Sequence, residues 1–170
     1  MRRKKMFDFL KKKKEEKAPV DNGVLYPAAE GRLLNIEDVP DEVFSKKMMG
    51  DGYAVEPSAN TFYSPCDGKV SLIPETLHAV GITADTGAEV LIHIGMDTVN
   101  LKGEGFTAKV KEGDVVKAGD PLVEADLDAI RDKVPSTITP VIITNIDEYD
   151  IVSLDLEGDR STPCLQYKKK

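Results

Sequence analysis

Turn signals recur along this chain at intervals too short for long helices. Asp51-Gly52, Asp67-Gly68, Thr86-Gly87, Glu112-Gly113-Asp114 and Ala118-Gly119-Asp120-Pro121 each border a short apolar run, and such residues mark places where the backbone reverses within a few positions. The chain is therefore expected to be all-β, an antiparallel sandwich or barrel of short strands. Candidate strands are Arg32 to Ile36, Tyr53 to Glu56, Lys69 to Ile73, Ala79 to Thr83, Glu89 to Ile94, Phe106 to Val110, Pro121 to Ala125, Val141 to Thr144 and Ile151 to Leu156. One short helix is expected over Leu127 to Lys133, with Asp126 as N-cap and Leu127, Ile130 and Val134 at helical spacing. A further helical turn is read over Asp41 to Lys46.

The length of 170 residues suits one compact domain with tails. Residues 21–170 form that domain, and residues 1–20 are a basic tail and linker, with Ala18 to Gly23 closing on the turn pair Asn22-Gly23. Trp is absent and aromatics make up 6%, so the core must come mostly from Val, Ile and Leu, which favour strands. Pro27-Ala28-Ala29-Glu30-Gly31-Arg32-Leu33 echoes Pro65-Cys66-Asp67-Gly68-Lys69-Val70 after one gap. Internal duplication and shared turn chemistry both account for the echo.

Charge is uneven. Residues 1–17 hold nine basic and three acidic side chains, a balance of +6, whereas the rest of the chain holds 14 basic and 27 acidic, a balance of −13. An acidic body repels nucleic acid and favours a basic protein partner. In the tail, Met6, Phe7, Phe9 and Leu10 lie among lysines and arginines; a short helix on an anionic membrane surface and a solvated tail both fit. No run approaches the roughly 20 apolar residues of a membrane-spanning helix. Two cysteines and no signal-like apolar start point to a reducing, cytoplasmic setting, with a peripheral place at the inner membrane face if the tail binds lipid.

Familiar catalytic patterns are missing: there is no Walker A loop, complete GxGxxG, GxSxG elbow or CxxC pair. What remains is a pair of histidines, the only two in the chain, His78 and His93. If the runs containing them pair through a hairpin at Asp85-Thr86-Gly87, the two lie within one register step of directly opposite. A functional pair and two unrelated histidines are both open on spacing alone. Physically the pair suits a phosphoryl relay. A neutral imidazole is a competent nucleophile near neutrality, apolar neighbours exclude water, and a second histidine can donate to the phosphoryl oxygens. Thr76 would share a face with His78 if that strand extended backwards, and could orient its ring.

The run Leu91-Ile92-His93-Ile94-Gly95-Met96-Asp97-Thr98-Val99-Asn100-Leu101-Lys102-Gly103-Glu104-Gly105-Phe106 resembles the active-site signature of the glucose-type IIA proteins of the bacterial sugar phosphotransferase system, the type 1 EIIA domain. Asn35 to Phe44 with Met49-Gly50-Asp51-Gly52, and Glu75-Thr76-Leu77-His78-Ala79, resemble that family's other segments in the same order. The resemblance covers the chain from about Tyr26 onwards. It implies a β-sandwich phosphoryl carrier in which His93 takes phosphate from HPr as a tele-phosphohistidine and passes it to the IIB domain of a sugar permease, glucose by default. It further implies that His78 stabilises the phosphoryl group, that Thr76 fixes His78, that Val43, Phe44 and Leu91 form an apolar collar, and that Asp41 and Asp97 face a basic partner. Pro74 departs from the pattern, since some relatives carry Phe there. Cofactors are not required, although the resemblance allows a regulatory zinc at His78 and His93 and further regulated transporters or enzymes as partners.

Two other classes compete. A zinc metallopeptidase on a related scaffold would use His78, His93 and Asp97, but needs three protein ligands and a general base, and lacks the HxH pair. A passive carrier or binding module is suggested by Val110 to Leu122, which also reads as tight structural hairpins.

Overall fold

The computed structural model describes residues 22–170. The tail assigned to residues 1–17 lies outside them. Thirteen strands run β1 (Asn22–Leu25), β2 (Gly31–Asn35), β3 (Asp51–Pro57), β4 (Thr61–Tyr63), β5 (Gly68–Leu72), β6 (Ala79–Ala84), β7 (Glu89–His93), β8 (Phe106–Ala108), β9 (Val115–Val116), β10 (Pro121–Ala125), β11 (Thr139–Ile143), β12 (Tyr149–Leu154) and β13 (Leu165–Lys169). They form a seven-stranded sheet in the order β2-β3-β11-β7-β6-β5-β9 and two three-stranded sheets, β1-β13-β12 and β4-β10-β8. All pairings between these strands are antiparallel. The expected all-β sandwich is the fold.

The large sheet is apolar on both faces, and this places the site. Val90 and Ile92 of β7, Val80 and Ile82 of β6, and Val141 and Ile143 of β11 join the main core. Ala54 and Ile142 face the other way, into a smaller cluster with Leu34, Ile36, Val39, Phe44 and Met96, against which Leu91 and Ile138 pack. Successive side chains of a strand alternate faces, so His93 lies on the face of Leu91, above this second cluster. β11 is buried throughout because both its faces are covered, which explains its continuous run Val141-Ile142-Ile143.

Both helical readings hold in shortened form. α1 (Glu42–Ser45) is capped by Asp41, whose carboxylate accepts the Val43 N–H at 2.8 Å. α2 (Leu127–Ile130) is capped by Asp126, and the chain then tightens into a 3₁₀ turn over Arg131–Lys133, leaving Val134 extended.

Four strands had no counterpart among the expected ones: β1, β4, β9 and β13. Asn22-Gly23 is not a turn but the start of β1, paired in register with Tyr167 and Lys168. A distant partner strand overrides the local turn preference of Asn-Gly. The Pro27 and Pro65 echo has a structural counterpart, since each segment delivers a glycine, Gly31 or Gly68, to the first position of a hairpin strand. A Cβ at either would meet a carbonyl of the neighbouring strand, Glu56 O at 2.0 Å or Thr83 O at 2.3 Å. The Val110 to Leu122 stretch is two tight turns around β9, closed where Asp114 and Asp120 accept the N–H of Lys111 and Lys117; the tight turns are seen, but β9 pairs with β5 of the large sheet instead of forming a local hairpin. No helix among the described residues is long and apolar enough to cross a membrane.

Candidate functional site

The β6–β7 hairpin brings the two histidines together. Its register pairs Ala79 with His93 and Thr83 with Glu89, so the expected hairpin at Asp85-Thr86-Gly87 and the single register step between the histidines are both seen. His78 itself is not in the strand. It sits at a bend just before Ala79, after Leu77, whose φ of 58° is left-handed. Strict alternation would send His78 to the face opposite His93. The left-handed Leu77, an unfavourable conformation for a bulky residue, instead re-aims it. The two imidazoles meet edge to face with centroids 5.2 Å apart.

Thr76 also reaches His78 by a different route from the one expected. β6 does not extend backwards; Pro74 to Leu77 form a turn closed by Leu77 N–H donating to Pro74 O at 2.9 Å. From that turn Thr76 Oγ1 lies 2.6 Å from Nδ1 of His78.

His93 Nδ1 is 2.8 Å from the carbonyl oxygen of Gly95. A carbonyl only accepts, so Nδ1 carries the proton and Nε2 is left with a free lone pair. Gly95, which reading by residue type passed over, is therefore part of the site. Its φ of 72° is left-handed, and a Cβ there would meet Thr98 Cγ2 at 2.8 Å. Burial holds the His93 pKa below its ordinary value, against upward pulls from the Gly95 hydrogen bond and the charges of Asp41 and Asp97. His78 is also lowered, first by burial and then by the neighbouring His93. Both rings are neutral at pH 7.

The rim divides by type. Phe44 is buried and tilts over His93 with ring centroids 5.1 Å apart. Leu91, two residues before His93 on the same face of β7, is half-buried, and Val43 is exposed. Asp41 and Asp97 both act electrostatically on His93. Asp97 is an exposed residue at φ 59°, opening the 3₁₀ turn Thr98–Leu101.

No group of three or more His, Cys, Asp or Glu suited to a metal occurs among the described residues. His78, His93 and Asp97 thus do not assemble as a zinc triad, which removes the metallopeptidase reading. The histidine pair by itself offers two of the four zinc ligands that a closed site needs. A cavity of about 890 Å³ is lined by Tyr26, Asp67, Asp85 and Tyr167. It lies at the turn end of the β6–β7 hairpin, away from the histidines. The site is thus a close pair of imidazoles with Phe44 against one ring and the charges of Asp41 and Asp97 acting on it.

Residues 23–149 match the family model described as phosphoenolpyruvate-dependent sugar phosphotransferase system, EIIA 1. A glucose-specific EIIA component from Halalkalibacterium halodurans is 51% identical over 85% of this chain and 84% of that protein. One from Oceanobacillus iheyensis is 51% identical over 78% and 80%. Among solved structures, the glucose permease IIA from Mycoplasma capricolum superposes with a TM-score of 0.82 at 36% identity, covering 89% of this chain and 99% of that one. With the family model, the relatives and the fold in agreement, this chain belongs to the type 1 EIIA family of the phosphoenolpyruvate-dependent sugar phosphotransferase system.

Proposed function

We propose that the protein carries a phosphoryl group on Nε2 of His93, taking it from HPr and giving it to the IIB domain of a sugar permease. The observation that carries this reading is the His93–Gly95 hydrogen bond, which leaves Nε2 unprotonated beside a second imidazole. In the forward step the Nε2 lone pair attacks phosphorus as the bond to the donor breaks. The product ring holds a proton on Nδ1 and the phosphoryl group on Nε2. Its positive charge is met by the Gly95 carbonyl, Asp41 and Asp97. His78, receiving the Thr76 hydroxyl proton at Nδ1, keeps its own proton on Nε2 and donates it in a hydrogen bond to the phosphoryl oxygens. Phe44 limits water at the intermediate.

Val43, Phe44 and Leu91 form the collar that partners meet, and Asp41 and Asp97 face the partner's basic side. The names of the relatives favour glucose as the sugar. The basic residues 1–17 support work at the inner face of the membrane that holds the permease. Zinc at His78 and His93 would be a partner-dependent regulatory event, as would control of other transporters or enzymes. The test is sugar phosphorylation from phosphoenolpyruvate with enzyme I, HPr and a glucose permease lacking its own IIA domain. Glucose phosphate should form only when this protein is added; no product with active partners would overturn the assignment.

A further inference from the structure

We infer that Thr98 and Thr139 are positioning residues for His93, acting through the turn at Gly95; this rests on His93 being the acceptor. Among the described residues only three polar ones, Ser64, Thr98 and Thr139, are in the buried set, and Thr98 and Thr139, each 0% exposed, flank this turn. A buried hydroxyl is costly unless its hydrogen bonds are made; Thr98 donates to the backbone that follows His93, and Thr139 accepts an N–H from it. Thr98 Oγ1 donates to Ile94 O at 2.6 Å. Thr139 Oγ1 accepts the Gly95 N–H at 3.4 Å and donates to Thr137 O at 3.0 Å. The peptide between Ile94 and Gly95 is thus held at both its oxygen and its nitrogen.

The next peptide is held at its far end. Met96 N–H donates to Ser136 O at 2.9 Å, while the other end of the same peptide, Gly95 O, accepts from His93 Nδ1. A carbonyl fixed this way selects one tautomer of the ring, because only the Nδ1–H form can donate to it. The hydrogen bonds of both threonine hydroxyls go to backbone groups and not to the ring. They fix the orientation of the acceptor that sets which nitrogen is nucleophilic, and linked hydrogen bonds of this kind reinforce one another. Thr139 begins β11, which pairs with β7 through Val141 and Ile92, so the turn is tied to the strand beside the nucleophile's own.

The experiment is ¹⁵N NMR of the imidazoles in the full-length, unphosphorylated protein, comparing wild type with Thr98→Val, Thr139→Val and the matching Thr→Ser variants. Wild-type His93 should be protonated at Nδ1. Each valine variant should lower the ratio of Nδ1–H to Nε2–H tautomer by about fivefold, the effect of losing one supporting hydrogen bond. Acceptance of phosphate should slow by about tenfold, and each serine variant should restore both. An unchanged ratio in the valine variants, or serine variants as defective as valine, would overturn the inference. If a valine variant does not fold, Thr→Ala at the same position gives the same reading, and an unchanged ratio there overturns it equally. Because the tautomer is read without phosphotransfer, failure of wild-type His93 to accept phosphate would strike the carrier reading alone.

Discussion

Thr76 and His78 are joined by a 2.6 Å contact between Oγ1 and Nδ1, made across a turn and not along a strand. The hydroxyl can hold the His78 ring with Nε2–H presented towards His93, where a phosphoryl group would sit. Replacing Thr76 with Val should leave acceptance by His93 intact and slow onward transfer by about tenfold. Replacing His78 with Gln should slow transfer by about 10²-fold, the usual cost of losing a donor to developing charge. Rapid-quench measurement of IIB phosphorylation by preloaded protein checks both; equal loss in the acceptance step would contradict the assigned roles.

Phe44 couples the site to the fold. It is 5% exposed in the smaller core cluster and 5.1 Å from the His93 ring. Phe44→Ala should cost about 3 kcal/mol in urea unfolding and shorten the lifetime of the phosphorylated protein in water. Stability loss with an unchanged lifetime would remove Phe44 from the water-excluding role.

The lowered histidine pKa values make stability depend on pH in a defined direction. Burial lowers both His78 and His93 from 6.5. Between 6.5 and the folded values, the unfolded chain binds protons that the folded one refuses, so stability is full above 6.5 and falls as pH drops through that window. It levels off below the folded values. Urea midpoints between pH 7.5 and pH 5 should fall more for wild type than for the His78→Gln, His93→Gln double variant. An equal fall would contradict the burial account.

Cys66 and Cys164 are buried thiols whose pKa values are pushed up to about 12, chiefly by burial, with Asp67 and Asp85 adding to the effect at Cys66. Their thiolate fraction at pH 8 is about a thousandfold below that of an ordinary thiol with pKa ~8.5. Native protein should therefore resist iodoacetamide at pH 8 and react at both cysteines once denatured. Labelling of the native form at the rate of free cysteine would contradict this.

The parts of this molecule legible in its sequence are those fixed locally. Turn residues border β5, β6, β7 and β10, and both helical caps announce themselves as an aspartate before an apolar turn; Asp51-Gly52, read as a turn signal, instead opens β3 and pairs with Ile143 and Ile142. Strands defined by remote partners were less legible. β9 has two residues, β4 has three, and β1 begins with a pair that favours turns. β13 did carry a signal, since buried Leu165 and Tyr167 alternate with exposed Gln166 and Lys168. At the site, hairpin spacing foretold that the histidines would approach. It could not foretell the left-handed Leu77 that re-aims His78, because nothing in a leucine's side chain favours that conformation. The Gly95 carbonyl escaped notice because backbone groups carry no signature of residue type.

The central claim, that His93 is the phosphoryl acceptor, is tested most directly by intact-mass spectrometry at alkaline pH. The protein is first incubated with phosphoenolpyruvate, enzyme I and HPr. Wild type should gain the mass of one phosphoryl group and lose it in acid, as a phosphohistidine does, while His93→Gln gains nothing. A gain by His93→Gln, or none by wild type with active partners, would contradict the account.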